Sequence, residues 1–178
     1  MQRKLLEAMQ HKRFVRVRRR FAVSPVGGYV MDVGPKFFLL CLVSDRLWFD
    51  GFECFRISDV RGLKQDPYAD FAEAALKLRN ERKPRKPKLS LQGKDELLLT
   101  AGQAFPLVPI HREKVNPDVC HIGKVIAVKA NRVRLLLIGP DAKWDESPTD
   151  FSLREITRVN FGGDYEGALH IVGGSPST

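Results

Sequence analysis

The chain is poor in cysteine, in long apolar runs and in recognisable catalytic or nucleotide motifs, and each scarcity excludes a class of protein. Its three cysteines, Cys41, Cys54 and Cys120, form no CxxC pair. An odd count without a secretory leader is the pattern of free thiols in a reducing compartment, the cytoplasm by default. The opening residues, MQRKLLEAMQHKRF, lack the apolar core of a signal peptide. The longest apolar run, FFLLCLV at 37–43, has the length of a strand and falls short of the roughly 18 residues of a membrane span. No G-x-x-x-x-G-K-[ST] and no strand–GxGxxG–helix context is present. Gly162-Gly163-Asp164-Tyr165-Glu166 is therefore expected to be a turn that leads into a last strand over 168–172.

What is present begins with a core. At 178 residues the chain can form one domain or two small ones, and 43% hydrophobic content is enough to bury an interior. Charge is placed unevenly. Residues 1–90 hold 20 Lys/Arg against 10 Asp/Glu, whereas residues 91–178 hold 10 against 11. Two segments account for the excess, KRFVRVRRR at 12–20 and KLRNERKPRKPK at 77–88.

The halves are copies of one pattern. Gly28 to Leu63 aligns with Gly123 to Val159 at an offset of 95 residues, then 96 after one insertion. Gly28 meets Gly123, Val30 meets Val125, Leu40 meets Leu135, Phe55 meets Phe151, and Trp48 is expected to meet Trp144. Alternation of apolar and polar residues within each copy predicts half-buried antiparallel strands. Each copy is read as a short N-terminal helix and about five strands, bent at glycines into a small barrel. The expected division is a first barrel over 1–65, a helix and basic Pro-rich linker over 66–94, a second barrel over 95–173 and a disordered tail over 174–178. Asp66-Pro67 marks a helix start, with Phe71, Ala75 and Leu78 expected to face the body. RKPRKPK should be an extended, exposed linker.

A helix, a strand, G-x-V-x-x-V, a tight turn, an apolar strand and a final I-x-x-[IV] ending together resemble the Sm-like (LSm) fold, a bent five-stranded SH3-like barrel. The resemblance covers roughly residues 3–64 and 95–172. It implies RNA binding and edge-to-edge pairing into rings. In that family the turn between the second and third strands commonly carries an Asp and an Asn. Here that turn reads VGPK at 33–36 and KANR at 129–132, so only Asn131 matches and no family binding residue is carried over.

The basic first strand is the sharpest chemical feature. Alternation puts Val15, Val17 and Phe21 on one face and Lys12, Phe14, Arg16, Arg18 and Arg20 on the other. Guanidinium groups interleaved with a ring suit phosphate contacts and base stacking, although a solvated strand face has the same composition. The second copy supplies a control, since Arg16 and Arg18 are expected to correspond to His111 and Glu113. Lys83, Arg85, Lys86 and Lys88 of the linker could wrap a polyanion or serve as a soluble spacer.

The other polar features read as structural. Cys120-His121 is read as a buried thiol beside a turn histidine, because adjacent strand residues face opposite ways. Asp141, Asp145, Glu146 and Asp150 form an acidic loop without calcium-loop spacing. No catalytic set, metal site or cofactor is implied. The sequence thus points to a non-catalytic protein that binds RNA or another polyanion, or to an assembly module that pairs with itself or a partner through strand edges, with no membrane role.

Overall fold

The computed structural model describes residues 1–176, and the chain divides into two compact units, the first ending at Lys86 and the second beginning at Pro87. The first runs α1 (Gln2–Gln10), β1 (Phe14–Arg19), β2 (Val26–Val33), β3 (Phe37–Val43), β4 (Phe49–Arg56), β5 (Val60–Gln65) and α2 (Ala69–Leu78). The second runs α3 (Lys94–Ala104), β6 (Val108–His111), β7 (Cys120–Lys129), β8 (Arg132–Leu137), β9 (Thr149–Ser152), β10 (Arg158–Phe161) and α4 (Asp164–Gly173). The protein is therefore mainly β with short helices, and each unit repeats one plan: a helix, five strands and a closing helix. No helix among the described residues is long and apolar enough to cross a membrane.

Strand order is β5-β1-β2-β3-β4 in the first unit and β10-β6-β7-β8-β9 in the second, and the strands within each pair antiparallel. The expected closed barrel does not form. Among the described residues no ladder joins β4 to β5 or β9 to β10, so each sheet stays open. A single 3-10 turn, Ile57–Asp59, joins the end of β4 to the start of β5. Those two strands meet at one corner, and β5 then spends its length pairing with β1.

The repeat survives at the level of individual ladder partners. Gly28↔Leu42, Val30↔Leu40 and Val33↔Phe38 recur as Gly123↔Leu137, Val125↔Leu135 and Val128↔Val133, with a bulge after Val30 and after Val125. Both glycines are where two backbones almost touch. A Cβ on Gly28 would lie 2.2 Å from the Cys41 carbonyl oxygen, and one on Gly123 2.4 Å from that of Leu136.

The ladders correct two details of the alignment. Ser44 N donates to Trp48 O at 2.9 Å and Gly139 N to Lys143 O at 2.8 Å, while Leu47 and Ala142 both sit at φ 59°. Trp48 thus corresponds to Lys143, and Trp144, which bridges Ile138, corresponds to Phe49. The insertion lies just beyond, in the 145–148 loop. Upstream, Val15 pairs with Gly28 and Val108 with Gly123. Arg16 therefore corresponds to Pro109 and Arg18 to His111, because the loop before β7 is two residues longer than the loop before β2. A shift of two preserves the face, so the contrast in charge between the copies stands.

In the first unit Val15, Val17, Val30, Phe38, Leu40 and Phe55 form a core on one face of the sheet, sealed by Leu5 and Ala8 of α1. The helix α2 buries Ala69, Ala72 and Leu76. Phe71 and Leu78, expected to face the body, are instead 66% and 84% exposed. In the second unit 168–172 is helical, where a strand was expected. Gly163 precedes a first turn carrying Asp164 and Glu166, charges that favour a helix N-terminus. Leu169 of α4 packs against Leu107 and Ile138. Of the tail expected over 174–178, residues 174–176 carry no helix or strand and the last two lie outside the described residues.

A candidate nucleic-acid interface

Strand β1 runs between β2 and β5, and its two faces differ in chemistry. Val15, Val17 and Arg19 point inward, Arg19 lying 3% exposed with its guanidinium 4.3 Å from the Phe55 ring centroid. Arg16 and Arg18 point outward and are exposed. Phe14 shares their face but is only 5% exposed, packed 5.4 Å from the Tyr29 ring. The expected stacking ring is therefore part of a core and not an open platform. Lys12 falls in the turn before β1 at φ 50°, and Arg20 falls just past the strand, with its backbone N–H donating to Asp59 O at 2.9 Å.

Strand β5 supplies two bases that the sequence reading missed. Arg16 pairs across the ladder with Lys64, and Arg18 with Gly62, which leaves room beside the arginine. Because Arg19 pairs with Val60, Arg61 is the extra residue of a β-bulge, and bulges re-aim side chains. The result is a groove of about 330 Å³ lined by Arg16, Arg18, Arg61 and Lys64 with Pro25 and Pro67, without a carboxylate in its walls. Only the bulge was hidden in the sequence VRGLKQ; its two bases were in plain view. Like charges directly opposite across a ladder are unfavourable, and Asp66 relieves just one of them. Its buried carboxylate accepts from Arg16 Nε and, at 2.7 Å, from the backbone N–H of Tyr68.

The linker bases divide into two groups. Lys83 Nζ lies 4.7 Å from the centroid of the Tyr29 ring, and Lys86 Nζ pairs with Asp32 at 2.9 Å. Tyr29 in turn donates to Glu73 of α2 at 3.3 Å. Arg85 and Lys88 are exposed, as Lys83 and Lys86 are, but make no such contact among the described residues, and residues 81–90 form no helix or strand. The linker up to Lys86 is thus strapped to the first unit on the sheet face that also carries Arg16.

Beside the groove lies a cleft of about 300 Å³, and Arg16 and Pro25 line both. Its other walls include Phe14, Ser44, Asp45, Asp66, Tyr68 and Phe71.

The same scaffold positions in the second unit carry no cationic groove. Pro109, His111, Thr157 and Asn160 stand where the first unit has Arg16, Arg18, Arg61 and Lys64. His111, Glu113 and Thr157 are buried, Arg158 Nη2 lies 2.9 Å from His111 Nδ1, and Arg158 Nε lies 3.9 Å from Glu113. Nearby, the His121 ring packs 4.7 Å from Phe151, and burial together with Arg112 holds its pKa below the ordinary value. Cys120 is exposed, contrary to the expected buried thiol; protein atoms still crowd its sulfur enough to push the pKa up to about 11 despite Arg158. Of the acidic loop, Asp141 pairs with Lys143 at 3.2 Å and Asp150 with Arg134 at 2.8 Å. The chain matches no known family model, no characterised protein and no solved structure.

Proposed function

We propose that the chain is a non-catalytic nucleic-acid-binding protein, acting on RNA, whose first unit holds the phosphate backbone in the β1–β5 groove. The carrying observation is four bases converging on one groove without a carboxylate in its walls, against a neutral or self-paired set at the equivalent positions of the second unit. Strand order supports the resemblance to Sm-like proteins, as does the helix that precedes the five strands in each unit. The exposed linker bases Arg82 and Arg85 of the same unit add to its positive charge.

Burial pushes the Cys41 thiol up to about 12 and holds that of Cys54 higher still. With Cys120 also raised, none of the three is poised as a thiolate nucleophile at neutral pH, which supports a non-catalytic reading. Three free thiols also suit the reducing cytoplasm. Assembly through strand edges has weaker support. The margin strand β5 carries Arg61 and Lys64 and is bulged, features that discourage edge pairing.

The test is fluorescence anisotropy of a labelled single-stranded RNA across a salt series. Binding is expected at low salt, with log K falling against log[salt] by about 0.7 for each phosphate neutralised. Arg18→Glu combined with Lys64→Glu should abolish binding while leaving the circular dichroism spectrum unchanged. Absence of binding by the native protein at low salt would end the proposal.

A further inference from the structure

The groove passes into a cleft of different chemistry, and we infer that this cleft takes one unpaired nucleobase of the strand whose phosphates lie in the groove. The inference rests on the nucleic-acid reading above and adds a preference for unpaired bases over duplex.

The sign of charge changes along the surface. The charged residues of the groove walls are all cationic, whereas in the cleft Arg16 is already engaged by Asp66 and Asp45 adds a second carboxylate. A phosphate would be repelled there. A neutral planar group with N–H donors fits, since a carboxylate accepts from the amino and imino groups of a base. Ser44 Oγ is buried at the cleft wall with no hydrogen-bond partner among the described residues, and an unpaired buried hydroxyl is costly unless something meets it.

The aromatic residues at the mouth point the same way. Tyr68 and Phe71 are 69% and 66% exposed, although α2 is anchored by Ala69, Ala72 and Leu76 and gains nothing from exposed rings. Aromatic faces stack bases of any sequence. A base that is paired inside a duplex cannot leave its stack to reach them without unpairing.

The second unit shows the same place filled. Phe14, Gly27, Val43 and Leu47 of the cleft correspond to Leu107, Ile122, Ile138 and Ala142, which cluster around Leu169 of α4. Trp144 Nε1 ties the end of that helix down by donating to Gly173 O at 3.1 Å. Where the second unit has Ile122 and a sealing helix, the first has Gly27 and a hollow beside α2. The hollow is therefore not a requirement of the scaffold.

The experiment compares four probes by anisotropy: a short single-stranded RNA, the same oligomer with abasic residues, its duplex, and a nucleoside monophosphate as competitor. The single strand should bind tightest. Tyr68→Ala with Phe71→Ala should weaken it about tenfold with the salt slope unchanged, whereas Arg18→Glu should flatten the slope. Gly27→Ile, which fills the hollow as the second unit does, should reproduce the tenfold loss; since a Cβ there already lies 3.2 Å from the Phe14 ring, the exposed Tyr68 and Phe71 variants guard against misfolding. Abasic or duplex probes bound as tightly as the single strand would overturn the base pocket and leave the groove standing. A monophosphate that binds equally well to the Arg18→Glu variant would assign the cleft to a free nucleotide and overturn the proposal. No binding of any probe at low salt would overturn both readings.

Discussion

The two units start from the same ladders and end with opposite interiors at two places. At the β1–β5 face the first unit exposes Arg16, Arg18, Arg61 and Lys64, while the second packs a half-buried Arg158 against buried His111 and Glu113. At the helix that closes each unit, α2 leaves a hollow lined by Tyr68 and Phe71, while α4 drives Leu169 into a cluster. The register and bulge of β2–β3 recur in β7–β8, whereas the bulge that places Arg61 has no counterpart in the β6–β10 ladder, so the shared part of the scaffold requires neither the charge nor the hollow. What differs between copies of one scaffold is where a binding function has room to reside.

The largest effect that would break this comparison lies in the shared core. Phe55 and Phe151 occupy equivalent ladder positions and both are buried. Truncating either to Ala should destabilise its own unit by about 3–5 kcal/mol, and by similar amounts, in urea titrations read by tryptophan fluorescence. Trp48 reports on the first unit and Trp144 on the second. A cost confined to one of the two would mean that the copies share a topology without sharing a core.

A second effect separates the closing helices. Leu169→Ala should cost the second unit about 2–4 kcal/mol, because a buried side chain leaves a cavity behind. Phe71→Ala in the first unit should shift stability by less than about 0.5 kcal/mol, as surface changes do. Equal costs would show that Phe71 is structural and that its exposure carries no functional meaning.

The smallest effects appear with pH, at opposite ends of the scale. His121 has its pKa lowered by burial and by Arg112, so the fold favours the neutral ring. Its contribution is present above the ordinary value near 6.5 and is lost as pH falls through it. The second unit should therefore weaken modestly on acidification, and His121→Gln should remove that dependence. Burial raises the Cys41 thiol from 9.0 to about 12, so its contribution is present below the lower value and disappears as pH climbs toward the upper one. The first unit should weaken on the alkaline side, less so in Cys41→Ala; thermal melts across pH check both.

The repeat and the strand faces were legible because side-chain alternation and backbone crowding are local. Gly28 and Gly123 mark the same close approach, and Arg16 and Arg18 project outward as a period of two demands. Features set by more distant partners were not legible. Arg61 joins the groove only because of a bulge, and Phe14, polar-facing by alternation, is covered by Tyr29. The stretch Ala168 to Val172 alternates weakly enough to pass for a strand, yet Leu169 needs a helix to reach Leu107. The one-residue offset of the tryptophans was hidden because the insertion falls in a loop, where apolar pattern gives no register.

The strap formed by the linker also sorts its own charges. A proline-rich extended chain completes a turn in three residues. Lys83 and Lys86, three apart, are the two that dock on Tyr29 and Asp32. Arg82 and Arg85 of the same unit follow that spacing one step out of phase and are exposed, with no cation–π contact or ion pair of their own among the described residues. Fixing Lys83 and Lys86 to Tyr29 and Asp32 therefore leaves Arg82 and Arg85 as the linker charges of this unit that stay available to an outside partner.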